Sequence, residues 1–191
     1  MIYPLTCAIL VVEFSLNYQS TNLPIPDHLM SVFRAFIAVD LSPEILKQLE
    51  QVARDLKQNL ENLPIRWVPT ANIHVTLKFL GDVSVSNVAM LEKIIQSTAS
   101  GHHHFTISVG GLGVFPSKRR PRVVWVGVET PAEMKSVHRG IEIETARLGY
   151  RSENRLFKPH LTLGRVSRNA GPRDVRMISQ ALEEKKVGLT V

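Results

Sequence analysis

Asn72-Ile73-His74-Val75-Thr76-Leu77-Lys78-Phe79-Leu80-Gly81 and Lys158-Pro159-His160-Leu161-Thr162-Leu163-Gly164-Arg165 are the two stretches from which the rest of this sequence is read. Both contain His-apolar-Thr-Leu. Side chains alternate across a strand, so His74 and Thr76 point to one face while Ile73, Val75 and Leu77 point to the other. His160 and Thr162 stand in the same relation to Leu161 and Leu163. A polar pair on a strand whose reverse face is apolar describes the wall of a polar cleft, and two such walls can face each other. One His-x-Thr alone is a weak signal, equally compatible with a solvated strand face. Two in matched apolar context, each followed by a helical stretch, point to two related strand-helix halves with one motif apiece.

Outward from these motifs, short apolar or alternating runs take turns with segments of helical period. Phe33 to Val39 reads as a strand. Ser42 and Pro43 form an N-cap and first-turn pair opening a helix with Ile45, Leu49, Val52 and Leu56 on one stripe. Ile73 to Leu80 is the next strand and Ser84 to Ser97 a helix with Val88, Leu91 and Ile95 inward. Strands are expected at Phe105 to Val109 and Val123 to Val128, with Gly110, Gly111, Gly113 and Pro116 in a loop between them. A helix from Pro131 to Leu148, a strand from His160 to Val166 and a helix from about Pro172 to Glu184 complete the pattern. Mixed order with short links gives an α+β domain rather than a doubly wound sheet. The close glycines at Gly110 to Gly113 lack the Lys-Ser/Thr of a phosphate loop and the spacing of a dinucleotide fingerprint.

The chain has 191 residues, 44% of them hydrophobic, enough for one cored domain or two small lobes, and its 21% charged residues with no long low-complexity run exclude a disordered or repeat architecture. Its net charge of +6 favours polyanionic partners. Lys118, Arg119, Arg120 and Arg122 are the densest basic cluster, either a solvated loop or a guide for a nucleic-acid backbone. The single cysteine, Cys7, cannot form an internal disulfide, which fits a cytoplasmic location. Residues 1 to 29 carry an apolar run too short to span a bilayer and no Lys or Arg, so a secretory signal is not expected. Met30 reads as the natural start, with residues 1–29 a non-native or disordered leader and residues 30–191 the domain.

The blocks Phe33-Arg34-Ala35-Phe36-Ile37-Ala38-Val39, His74 to Gly81, Pro121-Arg122-Val123-Val124-Trp125-Val126-Gly127-Val128 and Pro159 to Arg165 resemble, in order, the two-histidine phosphoesterase superfamily, within it the bacterial RNA 2',3'-cyclic phosphodiesterases, also called 2'-5' RNA ligases. The resemblance covers roughly residues 32 to 191. It implies a bilobal fold of two pseudo-symmetric antiparallel-sheet lobes with helices outside and a central cleft. It also implies a further C-terminal strand region that would be missing after Val191, with Gly188 to Val191 a strand just beginning. The implied reaction is opening of RNA 2',3'-cyclic phosphate ends to 2'-phosphates without a metal or cofactor, with reversible 2'-5' ligation as the corresponding transesterification in which an RNA hydroxyl takes the place of water. The implied partner is RNA bearing such an end, or a related nucleotide, acted on by a monomer away from any membrane.

Histidine suits both proton transfers of this reaction, because its ordinary pKa near 6.5 lets one imidazole begin neutral and the other protonated, which predicts a bell-shaped pH profile. His160 is assigned as general base and His74 as general acid. Thr76 and Thr162 would donate to the non-bridging phosphate oxygens, where charge develops. The resemblance puts Arg165 beside the phosphate, although strict alternation sends it to the opposite face unless a bulge at Gly164 re-aims it. His102, His103 and His104 cannot all face one metal ion, being adjacent in an extended stretch, so no metal site is assigned. Phe115 and Trp125 could stack on a base, but Trp125, between Val124 and Val126, reads as core. Two other readings keep the scaffold: a non-catalytic RNA-binding module indifferent to His74 and His160, and a phosphodiesterase of small cyclic nucleotides or 2'-5' oligonucleotides.

Overall fold

The first apolar run forms strand β1, Val32–Val39, in the computed structural model, which describes residues 32–102, 105–184 and 188–189. The expected leader, His103, His104 and the last two residues lie outside the described residues. After β1 the Ser42 hydroxyl accepts from the Ile45 N–H at 3.4 Å and Pro43 begins helix α1, Pro43–Asn59. The Ser42 oxygen satisfies one of the helix's orphan N–H groups, and the ring of Pro43 fixes a φ suited to the first turn. Ile45, Leu49, Val52, Ala53 and Leu56 then fall on one buried stripe. The chain continues through β2, Ile65–Trp67, and β3, Val75–Ser84, to α2, Val88–Ser100. The hairpin of β4, Val109–Ser117, and β5, Arg120–Val128, follows, then α3, Ala132–Arg147. Strand β6, His160–Val166, helix α4, Pro172–Glu184, and the short β7, Gly188–Leu189, end the described chain.

The described strands form one sheet in the order β1-β3-β6-β5-β4-β7, with β2 added beside β6, and every pairing is antiparallel. It divides into the β1–β3 pair and the group built on β6, β5 and β4. The halves meet at the Val75–Leu161 register. All four helices of the described chain send apolar side chains, among them Leu49, Leu91, Ile141 and Ile178, into one core with the inward residues of the strands. The α+β class and the two-lobed antiparallel layout expected from the sequence are therefore the observed ones.

Several local expectations change: the strand expected at Phe105 to Val109 begins only at Val109. The glycine-rich stretch is not a loop but the body of β4. Gly113 is required because a Cβ on it would sit 2.2 Å from the Trp125 ring, and Gly111 because it holds a φ of 69° at the extra residue of a bulge between Gly110 and Leu112. Strand β2, too short for a periodic signal, escaped the sequence reading. Helix α2 begins at Val88 rather than Ser84, because β3 runs on to Ser84 and a single 3-10 turn, Val85–Asn87, intervenes.

Strand β3 also bulges. Ile37 opposes Lys78 and Ala38 opposes Thr76, so Leu77 is an extra residue and the alternation of faces shifts after it. As a result Lys78 turns inward, only 1% exposed. Its ammonium meets the Glu142 carboxylate of α3 at 2.7 Å and donates to the Arg151 carbonyl at 3.0 Å. A buried charge of this kind is tolerated only while paired. Glu142→Ala should therefore destabilise the protein by about 3–5 kcal/mol in urea unfolding, with Lys78→Met/Glu142→Leu recovering much of the loss. A loss below about 1 kcal/mol for the single variant would show that the pair is not the buried contact described.

Candidate active site

His74 immediately precedes β3 and Thr76 lies within it; both are half-buried, while Ile73, Val75 and Leu77 behind them are core. In β6, His160 and Thr162 are half-buried over fully buried Leu161 and Leu163. The antiparallel match of Val75 with Leu161 sets the rest. Stepping one residue either way puts His74 across from Thr162 and Thr76 across from His160, and opposed residues share a face at Cβ separations of about 4.5–5.5 Å. The four candidate residues named from sequence thus occupy one contiguous patch, each histidine diagonal to the other.

Each imidazole is backed by an aromatic ring. Phe36 of β1 stacks on His74 with centroids 4.7 Å apart and planes at 19°. Phe115 of β4 meets His160 edge-on at 4.9 Å and 80°, and itself stacks on Trp125 at 4.9 Å. Trp125 is 6.3 Å from His160 and opposes Thr162 in the β5–β6 ladder. Trp125 is thus not in the core. Val124 and Val126 take the core face, and alternation sends the residue between them to the cleft face. Phe36 was missed as a supporting residue, because an aromatic in a strand signals burial rather than which ring it touches.

His160 Nδ1 lies 2.9 Å from the Lys158 carbonyl oxygen, which can only accept, so Nδ1 carries a proton and Nε2 is the nitrogen left to exchange one. The segment that delivers His160 to β6 is pinned upstream. Arg151 accepts from Lys78, the Glu153 N–H donates to Glu142 at 3.2 Å, and the Asn87 amide donates to the Tyr150 hydroxyl at 3.2 Å. Phe157 stacks on His138 of α3 at 3.9 Å and 18°. Burial holds the His138 imidazole below its ordinary pKa, the nearby Lys78 adding to the effect and Glu142 and Glu153 opposing it.

Arg165 reaches the candidate face by the bulge that the sequence left conditional. Trp125 opposes Thr162 but Val124 opposes Gly164, so Leu163 is the extra residue. Beyond it Val166 is buried and Arg165 exposed, the reverse of strict alternation and the same side as His160 and Thr162. Gly164 fits there because a Cβ would lie 2.8 Å from Ile65 and 3.2 Å from Trp67 of β2. The corresponding residue after His74 is Phe79, 60% exposed, so the two halves place an arginine and an aromatic at matched positions. His102 lies just past the end of α2. Among the described residues no three of His, Cys, Asp or Glu gather to hold a metal ion, and no helix is long and apolar enough to cross a membrane.

Residues 39–125 match the family described as LigT like Phosphoesterase. A protein of Methanothermobacter thermautotrophicus named RNA 2',3'-cyclic phosphodiesterase is 37% identical over 151 residues, which is 79% of each chain. One of Thermotoga maritima with the same name is 32% identical over 133 residues, 70% of each chain. Among solved structures, E. coli LigT complexed with 3'-AMP superposes with a TM-score of 0.59 at 28% identity, over 74% of this chain and 77% of that one.

Two outcomes follow from the geometry around His160. Long-range 15N–1H correlation of the neutral imidazole should find the proton of His160 on Nδ1; a proton on Nε2 would contradict the Lys158 contact. For His138, the unfolded chain takes up a proton near 6.5 while the folded chain resists, so the unfolded state binds more protons below that value and stability falls as pH drops. His138→Gln should flatten this acid loss in unfolding curves taken from pH 7 downward; identical slopes in both proteins would count against it.

Proposed function

We propose, since the chain belongs to the LigT-like phosphoesterase family, that it hydrolyses the 2',3'-cyclic phosphate at the end of an RNA strand to a 2'-phosphate. The reading rests above all on the Val75–Leu161 register, which supports a site shared by the two His-x-Thr motifs, with two imidazoles and two hydroxyls available to one phosphate. The names of the relatives and the basic charge of the chain support RNA as substrate.

In the proposed reaction His160 Nε2 takes a proton from a water molecule as the water oxygen bonds to phosphorus. The P–O3' bond breaks and His74, protonated at the start, gives its proton to the leaving O3'. One P–O bond forms and one breaks, and the two imidazoles end in exchanged protonation states. Thr76 and Thr162 donate to the non-bridging oxygens, and Arg165 supplies a fixed positive charge beside them. Phe36 and Phe115 hold the imidazole planes, so less orientational freedom is lost on reaching the transition state. Both proton transfers are supplied by side chains, so the scheme needs no metal ion.

RNA ending in a 2',3'-cyclic phosphate, incubated with the protein in EDTA, should be converted to a 2'-phosphate end, identified by mass and phosphatase sensitivity. His74→Ala and His160→Ala should each lower kcat by about 10²–10⁴-fold, the usual worth of a general acid or base, while RNA is still bound. Turnover that survives either substitution would remove that histidine from the scheme, and absence of turnover by folded wild-type protein would favour a binding module.

A further inference from the structure

Arg66 of β2 and Arg165 of β6 are direct cross-strand partners, and both are exposed. Like charges directly opposed on one sheet face destabilise it, yet neither pairs with a carboxylate among the described residues. Arg165 also opposes Val123 of β5, and the next residue, Arg122, donates through Nη1 to the Ser167 carbonyl at 2.7 Å, which fixes its guanidinium at the end of β6. Beyond Arg122 a groove of about 460 Å³ opens between the β4–β5 hairpin and the start of α4, lined by Arg119, Arg120, Arg122 and Arg176. None of these four is ion-paired among the described residues. The acids nearby are committed elsewhere: Asp174 accepts from the Gly171 N–H at 2.8 Å, and Glu183 holds Lys118 at 2.6 Å.

Six guanidinium groups thus run from the edge of the two-histidine patch to a groove at the hairpin end, without the carboxylates that usually intersperse such a run. From Arg120 to Trp125 the strand covers about 17 Å at ~3.3 Å per residue. A nucleic-acid strand with one phosphate per ~3.4 Å covers that length in about five nucleotides. A 2',3'-cyclic phosphate is a 3' terminus, so everything else in the strand lies on its 5' side. We propose that these arginines form a track for the phosphodiester backbone 5' of the reacting end, with the Arg119–Arg120–Arg176 groove as its distal phosphate site. The track rests on the reading of the patch as the place where an RNA end reacts, and it adds how the remainder of that RNA is held. Arginine is suited to the task because its planar fork donates two parallel hydrogen bonds to phosphate oxygens.

The test compares wild type with Arg119→Ala/Arg120→Ala/Arg176→Ala and with the corresponding triple Lys variant. Each is titrated by fluorescence anisotropy against an RNA of about ten nucleotides, long enough to reach the groove, ending in a 3'-phosphate that cannot be turned over. The Ala triple should bind about tenfold more weakly near 0.1 M salt, and its log Kd against log salt should lose about 2 in slope, at ~0.7 per phosphate contact. The Lys triple should keep the wild-type slope. Binding and slope unchanged in the Ala triple would overturn the track, as would equal loss in the Ala and Lys triples, which would point to altered shape rather than lost charge. Turnover of a mononucleotide 2',3'-cyclic phosphate by wild type in the same buffer reports on the catalytic reading separately. Its absence together with the predicted salt behaviour would leave the track in place and remove the reaction.

Discussion

One antiparallel match, Val75 opposite Leu161, determines how the two His-x-Thr motifs are set against each other. Both residues are completely buried, so the pairing is enforced by the apolar core beneath it rather than by the polar groups above. A slip of one residue would send His160 and Thr162 into the core and Leu161 into the cleft, an exchange that the burial of three apolar side chains forbids. The opposition of the two His-x-Thr motifs is thus a by-product of burying Val75, Leu161 and Leu163. Polar groups with little stabilising value of their own are held in register by their neighbours on the reverse face.

Around that point, departures from regular strand geometry do most of the work of aiming side chains. The extra residue Leu77 turns Lys78 into the core, where its pairing with Glu142 and Arg151 ties α3 and the segment before His160 to the strand that follows His74. The extra residue Leu163 turns Arg165 out. Both bulges come directly after a His-x-Thr motif, so the two halves share the device while differing in what it displays. Gly113 of β4 belongs to the same scheme, since it clears space for the Trp125 ring that stacks on Phe115 behind His160.

Much of this was legible in the sequence for identifiable reasons. Alternation over Ile73 to Leu77 and Leu161 to Leu163 is strict, so the facing of His74, Thr76, His160 and Thr162 could be read from it, and α1 and α4 carry unmistakable stripes. What escaped depended on contacts between distant segments. Glycines in β4 look like a loop until the tryptophan that requires Gly113 and the bulge that requires Gly111 are known. Lys78 reads as a solvent-facing lysine until the bulge before it is seen, and β2 is three residues long, shorter than any period can reveal. Trp125 was assigned to the core on the company of two valines, although alternation within its own strand argued for the opposite face. The basic hairpin was visible as composition, but the opposition of Arg66 to Arg165 and the commitment of Lys118 to Glu183 are facts of register and packing.

Whether both halves act on a single phosphate can be seen in a crystal structure of the protein with a nucleoside 2'-monophosphate. One phosphate group is expected within hydrogen-bond distance of the His74 and His160 imidazoles and the Thr76 and Thr162 hydroxyls together, with His160 still held to the Lys158 carbonyl. A phosphate bound by one motif alone, with the other turned away from it, would contradict a shared site.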